Sequence, residues 1–129
     1  TANVVKYDPI KTFVGLNSGL NHLIRPMMYD AYHEIFNATN TDMSIQEEYD
    51  IVGYICETDT FGSKRMLNKV AAGDLIAFKN AGAYGFTMAS NYNSRFRPAE
   101  VLVINGEAKL IRKRETMIDI VANQVVIDI

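Results

Sequence analysis

The sequence is short of the chemistry that most readily betrays a function. It holds one cysteine, Cys56, so no disulfide can close within the chain and a disulfide-stapled secreted scaffold is excluded. Its two histidines, His22 and His33, belong to no HExxH motif, no CxxC pair is present, and no ligand partners stand at a recognisable spacing, which argues against a metal centre. No glycine-rich phosphate loop follows a strand-like run. No apolar stretch approaches the ~20 residues a membrane helix needs, and Thr1 to Pro9 lacks the basic and apolar regions of a signal peptide. Thirteen Lys and Arg against fifteen Asp and Glu leave a net charge of -2, without bias toward nucleic acid or anionic membrane. The run Arg112-Lys113-Arg114 reads as a solvated strand end, too small for a nucleic-acid surface. A free thiol in a chain of this kind fits a reducing, cytoplasmic setting. The start at Thr1, without methionine and directly before strand-like sequence, is expected to be a cut in a longer protein.

What is present is patterned for strands. With 129 residues and 48% apolar content, the chain suffices for one domain with a core. Thr12 to Leu16 reads as a buried strand ended by the turn residues Asn17, Ser18 and Gly19, with a brief helical turn after them. Pro26 makes Arg25 an extended residue entering a short helix to Tyr29. Tyr29 to Phe36 alternates loosely as a strand, and Asn37 to Asp42 is a polar loop. Tyr49 to Cys56 is a strand that delivers Cys56 and Glu57 at its exit. Phe61 to Val70 is mixed, with room for one helical turn, and Gly73-Asp74 turns into the strand Leu75 to Phe78. Asn80 to Pro98 is a structured loop. Asn105-Gly106 joins the strands Glu100 to Ile104 and Ala108 to Arg112, the clearest hairpin signal in the chain. Glu115 to Ala122 has helical spacing before an apolar tail to Ile129. The expected architecture is mainly β, a Greek-key-like sandwich or open barrel with one or two short helices.

Three constellations can carry chemistry. Arg25 and Tyr29 stand four residues apart, so one helical turn would bring a guanidinium and a phenol together around a carboxylate; the bland alternative is a surface arginine beside a core tyrosine. Cys56 precedes Glu57; an acidic neighbour without a nearby cation favours a neutral thiol, hence a proton donor over a thiolate nucleophile, against the alternative of a buried small hydrophobe. Glu57 could pair with a substrate ammonium. Gly82-Ala83-Tyr84-Gly85 sets an aromatic hydroxyl between glycines that permit close backbone approach, or is simply a tight loop with a packed tyrosine.

The stretches GLNHLIRPMMYDAYHEI from Gly19, YDIVGYICETDTFG from Tyr49, GDLIAFKNAGAYGFTMASNYNSRFRPAEVLV from Gly73, and Arg114-Glu115-Thr116 together resemble the carboxy-terminal domain of the diaminopimelate decarboxylases. These are pyridoxal-phosphate decarboxylases that pair an alanine-racemase-like barrel with a β-domain. The resemblance implies that residues 1–129 form a single carboxy-terminal β-domain, and that the (β/α)8 barrel with the cofactor lysine lies outside this chain. It implies that Arg25 and Tyr29 bind the distal carboxylate of the substrate, Glu57 its distal amino group, and Tyr84 both substrate and cofactor, with Cys56 the proton donor. It further implies a homodimer in which Cys56 and Glu57 reach the partner's active site. Relatives often read CESGD and SRPRPAE where this chain has CETDT and SRFRPAE, a difference in loop residues outside the inferred roles. Decarboxylases of ornithine, arginine or carboxynorspermidine are the nearest rivals; a non-catalytic dimerisation module, or a cysteine hydrolase pairing Cys56 with His22 or His33, are the alternatives of other classes.

Overall fold

A computed structural model describes residues 1–127. The strands β1 (Ala2–Tyr7), β2 (Thr12–Leu16), β4 (Gln46–Val52) and β5 (Thr60–Asn68) form one sheet in the order β1-β2-β4-β5. β2 and β4 pair in parallel, which requires the long crossover that carries the short helix α1 (Arg25–Tyr29) and the strand β3 (Ile35–Asn37); the other pairings in this sheet are antiparallel. β3 pairs with β6 (Ile76–Phe78) in a second, two-stranded sheet. β7 (Glu100–Ile104) and β8 (Glu107–Arg112) form a third. Two further helices, α2 (Gly82–Gly85) and α3 (Met117–Val121), are each about one turn long, and a 3-10 turn spans Tyr92–Ser94. The mainly β expectation holds. Among the described residues no helix is long and apolar enough to cross a membrane.

The core lies where the first two sheets meet. Val14, Leu16, Tyr49, Ile51, Phe61 and Leu67 project from the larger sheet and Ile35 from the smaller. The Phe61 ring meets the Phe78 ring of β6 at 4.9 Å between centroids, tilted by 57°. Tyr49 is buried, and its hydroxyl accepts the Val70 N–H (3.0 Å) and donates to Glu47 (2.9 Å). Burial pushes its phenol up to about 12, so it stays neutral in any working pH range.

Several expectations shift in place, each for a local reason. Phe61 to Val70 is strand instead of a mixed segment with a helical turn. A bulge opposite Tyr49 and Ile51, with Lys64 left-handed at φ 52°, breaks the alternation that would have marked it. Arg25 is the first helical residue and not an extended one. Tyr29 to Phe36 forms a strand only from Ile35, because the helix ends on left-handed Asp30. The intervening side chains make lateral contacts instead: Arg65 lies over the Tyr32 ring (4.3 Å), and His33 Nδ1–H donates to the Lys79 carbonyl (3.0 Å). Tyr49 to Cys56 is strand only to Val52, so Cys56 sits in a loop beyond the strand. The hairpin turn is as read, with Asn105 (φ 52°) and Gly106 (φ 78°) both left-handed. Helix α3 is shorter than Glu115 to Ala122, since Thr116 caps it reciprocally with Asp119. Of the apolar tail, residues 128 and 129 lie outside the described residues.

The loop between β4 and β5 is held by Asp59, which is buried. Its backbone carbonyl accepts the Gly53 N–H (2.7 Å), while its carboxylate accepts Leu20 N–H at Oδ1 (2.8 Å) and Ile55 N–H at Oδ2 (2.9 Å). The carboxylate is wedged against two glycines. A Cβ on Gly53 would stand 2.0 Å from Asp59 Oδ2, and one on Gly19 would stand 2.7 Å from the same atom. Gly53→Ala is therefore expected to destabilise the fold by about 1–3 kcal/mol, an overpacking cost; a lowered urea midpoint at unchanged m-value checks it.

A second buried carboxylate, Asp50, accepts Lys11 Nζ (2.8 Å) and the Lys64 N–H (2.8 Å). Burial pushes its carboxyl up, but those two donors outweigh it and hold the group below its ordinary value. Its contribution to stability is thus present above the unfolded carboxylate value and lost as pH falls through the folded one. Asp50→Asn should be less stable than the unmodified protein at pH 7, and the gap should narrow below about pH 3.9 in acid-unfolding curves.

Candidate active site

The segment from Gly19 to Ile24 is the spine on which the candidate residues hang. The Gly19 carbonyl accepts His22 N–H (2.9 Å), turning the chain toward α1, where Pro26 occupies the first turn without loss of a helical hydrogen bond. On one side the spine holds the loop after β4: Tyr54 N–H donates to the Ser18 carbonyl (3.2 Å) and the Tyr54 hydroxyl to Asn21 Oδ1 (3.2 Å), alongside the Asp59 bonds. On the other it holds the loop from Ala89 to Phe96. Ser90 N–H donates to the Asn21 carbonyl (2.9 Å), and His22 Nε2–H donates to the Phe96 carbonyl (3.0 Å). That donation leaves His22 Nδ1 to accept the Ser18 hydroxyl (2.9 Å), and burial pushes the imidazole below its ordinary value. His22 is a neutral structural bridge.

Cys56 and Glu57 stand at the tip of the bracketed loop and both are exposed, so the thiol is not a buried hydrophobe. The Cys56 thiol points to Glu57 Oε2 (3.6 Å) and receives the Asn93 side-chain amide at its sulfur (3.8 Å). Glu57 Oε1 accepts the Tyr92 hydroxyl at 2.5 Å. That bond holds the Glu57 carboxyl below its ordinary value and pushes the Tyr92 phenol up. Neither imidazole bonds the thiol: His22 is committed as above and His33 to Lys79.

Arg25, half-buried at the start of α1, lays its guanidinium over the Tyr84 ring, 4.5 Å from the centroid. Among the described residues it makes no ion pair, so its donor edges are unspent while its face is fixed. Tyr84 is exposed on α2, and the glycines that flank it are helical, not left-handed; a Cβ on either would meet nothing within 4 Å. Tyr29 is exposed on α1, not a core tyrosine. The structure thus joins Arg25 to Tyr84 and Cys56 to Glu57. Among the described residues no hydrogen bond or cation–π contact ties Tyr29 to either pair, or one pair to the other. A hollow of about 500 Å³ lies between α1 and the start of β5, lined by Pro26, Met27, Asp30, Thr58 and Thr60 and by none of these candidate residues.

Tyr92, Asn93 and Asp59 were not singled out from the sequence. Asn93 and Ser94 are consecutive left-handed residues (both φ 55°), and asparagine's tolerance of that conformation in a loop rich in asparagine was the available signal.

The family described as pyridoxal-dependent decarboxylase, C-terminal sheet domain, matches residues 2–82. The diaminopimelate decarboxylase of Methanothermobacter thermautotrophicus is 43% identical over 123 residues, covering 95% of this chain and 28% of that protein. That of Neisseria meningitidis serogroup B is 47% identical over 120 residues, covering 93% and 29%. The crystal structure of diaminopimelate decarboxylase from M. jannaschii in co-complex with L-lysine superposes with a TM-score of 0.89 at 41% identity, covering 97% of this chain and 29% of that one. The chain spans less than a third of the length of these relatives. With a family match over more than half its residues and relatives this similar along nearly all of it, the chain belongs to the C-terminal sheet domains of the pyridoxal-dependent decarboxylases.

Proposed function

We propose that this chain is the substrate-recognition and proton-donor part of a pyridoxal-phosphate-dependent enzyme that converts meso-diaminopimelate to L-lysine and carbon dioxide. The observation that carries this reading is the Cys56–Glu57 pair: an exposed thiol beside a carboxylate kept ionised by a phenol, at the tip of a braced loop. The rest of the enzyme is a barrel domain upstream. The working unit is a homodimer whose subunits exchange the Cys56–Glu57 loop, placed in the cytoplasm, where a working thiol stays reduced.

Pyridoxal phosphate, when bound, supplies the electron sink for loss of carbon dioxide. The donors here suit only its edge. The exposed Tyr84 hydroxyl, with open space at both flanking glycines, can donate to an anionic oxygen, whereas Lys11 and Lys79 are paired with Asp50 and Glu34. The lysine and the phosphate cradle are the barrel's to provide.

This chain's residues do the rest. Arg25, its face fixed on Tyr84, turns its donor edges to the distal carboxylate, and the Tyr29 hydroxyl adds a further donor. Glu57 takes the distal ammonium. Both ends of one amino-acid head are then held, a requirement ornithine, with no distal carboxylate, cannot meet. Cys56 gives its proton from sulfur to the carbon that has lost carbon dioxide, and is reprotonated from solvent at its exposed position.

Cys56→Ala in the full-length protein should lower kcat by about a hundredfold or more, the scale of general-acid catalysis, while KM for diaminopimelate changes little. Steady-state assay of carbon dioxide release checks it, and an unchanged kcat removes the proton-donor role.

A further inference from the structure

The loop carrying Tyr92 and Asn93 touches both members of the Cys56–Glu57 pair, and the reading above takes from it only the charge on Glu57. Tyr92 donates its hydroxyl to Glu57 Oε1 (2.5 Å), leaving Oε2 to face the Cys56 thiol (3.6 Å). Asn93, one residue on, presents its side-chain amide to the Cys56 sulfur (3.8 Å). Two adjacent side chains thus engage two adjacent side chains across a sequence separation of 35 and 37 residues. The arrangement needs an unusual backbone. Asn93 and Ser94 both sit at φ 55°, a conformation with an energetic cost for residues other than glycine, and the surroundings hold it there. Asn91 donates to the Arg95 carbonyl (3.0 Å) and to Glu115 Oε2 (2.6 Å), which also accepts the Arg97 N–H (2.8 Å). Ser90 is tied to Asn21, and Phe96 to His22. Both ends of the turn are therefore anchored, and its apex is spent on the thiol and the carboxylate.

We propose that Tyr92 and Asn93 are positioning residues, which together set the orientation of the Glu57 carboxylate and the Cys56 thiol so that one can meet an ammonium while the other faces the reacting carbon. Tyr92 acts through Glu57. Its hydroxyl occupies Oε1 and fixes the plane of the carboxylate, so that Oε2 lies toward Cys56. Asn93 acts through Cys56, donating its side-chain amide to the sulfur and so fixing the orientation of the thiol. This rests on the reading of Cys56 as proton donor and Glu57 as ammonium binder.

The charged and titratable groups around Glu57 are few. Tyr92 and Cys56 touch it, and Asp59 sits behind it in the bracket, itself near His22. Of these only Tyr92 donates strongly to the carboxylate, so removing that hydroxyl lets the Glu57 carboxyl rise toward its ordinary value. Glu57 then loses its charge at a higher pH, and the acid limb of activity moves up with it.

The test is Tyr92→Phe in the full-length protein, with kcat and kcat/KM measured across pH, beside Glu57→Gln and Cys56→Ala. The inference predicts that Tyr92→Phe lowers kcat by about a hundredfold at most, the scale of a misplaced reacting group, and moves the acid limb of kcat/KM to higher pH, with the dimer and its cofactor absorbance intact. Asn93→Ala should lower kcat without moving that limb. If Tyr92→Phe leaves both the rate and the acid limb unchanged while Glu57→Gln and Cys56→Ala are crippled, the positioning role is wrong and the proposed function stands. If Glu57→Gln and Cys56→Ala keep full activity, the proposed function itself fails and the inference with it.

Discussion

The structure depends on one buried carboxylate. Asp59 accepts two backbone N–H groups, from Leu20 and Ile55, and so joins the turn that leads into α1 to the loop that carries Cys56 and Glu57. Gly19 and Gly53 lie against it because no side chain would fit there. Burial pushes the Asp59 carboxyl up, ahead of the opposing pull from the Ile55 and Leu20 donors. A raised value in the folded state means that its contribution to stability is greatest at acid pH and falls as pH rises through that value. At neutral pH the bracket is held at some cost in stability, and what it secures is geometry: a loop tip whose position is fixed while its two functional side chains remain open to solvent.

From that bracket the placement of the other groups follows. The spine from Gly19 to Ile24 has the Asp59 loop on one side, the Tyr92–Asn93 loop on the other, and α1 at its end. The spine thereby ties together three segments far apart in sequence. The two clusters also differ in electrostatic character: among the described residues Arg25 is a cation without an acidic partner, and Glu57 is an anion stabilised by a phenol.

Much of this was legible in the sequence, for physical reasons that can be named. The strand Thr12–Leu16 and the Asn105-Gly106 hairpin were readable because burial pattern and turn chemistry are local. The strand Thr60–Asn68 was not, because its bulge at Lys64 is stabilised by Asp50 from a neighbouring strand, a partner no local window contains. The Cys56–Glu57 pair could be singled out as adjacent reactive residues, but its exposure could not, since lone cysteines are most often buried. Its partners could not: Tyr92 and Asn93 lie 35 and 37 residues away, and only the spine brings them near. Arg25 and Tyr29 were read as a pair from helical spacing, whereas the guanidinium finds its contact on Tyr84, a residue from another part of the chain.

The central claim is that this domain selects a substrate whose distal end is itself an amino-acid head. Its most direct test is carbon dioxide release by the full-length protein with pyridoxal phosphate, offered meso-diaminopimelate, ornithine and arginine in parallel. The account predicts L-lysine as the product from diaminopimelate, with kcat/KM for the other two lower by roughly a hundredfold or more, since each leaves part of the polar site unpaired. Equal or better turnover of ornithine or arginine would contradict it.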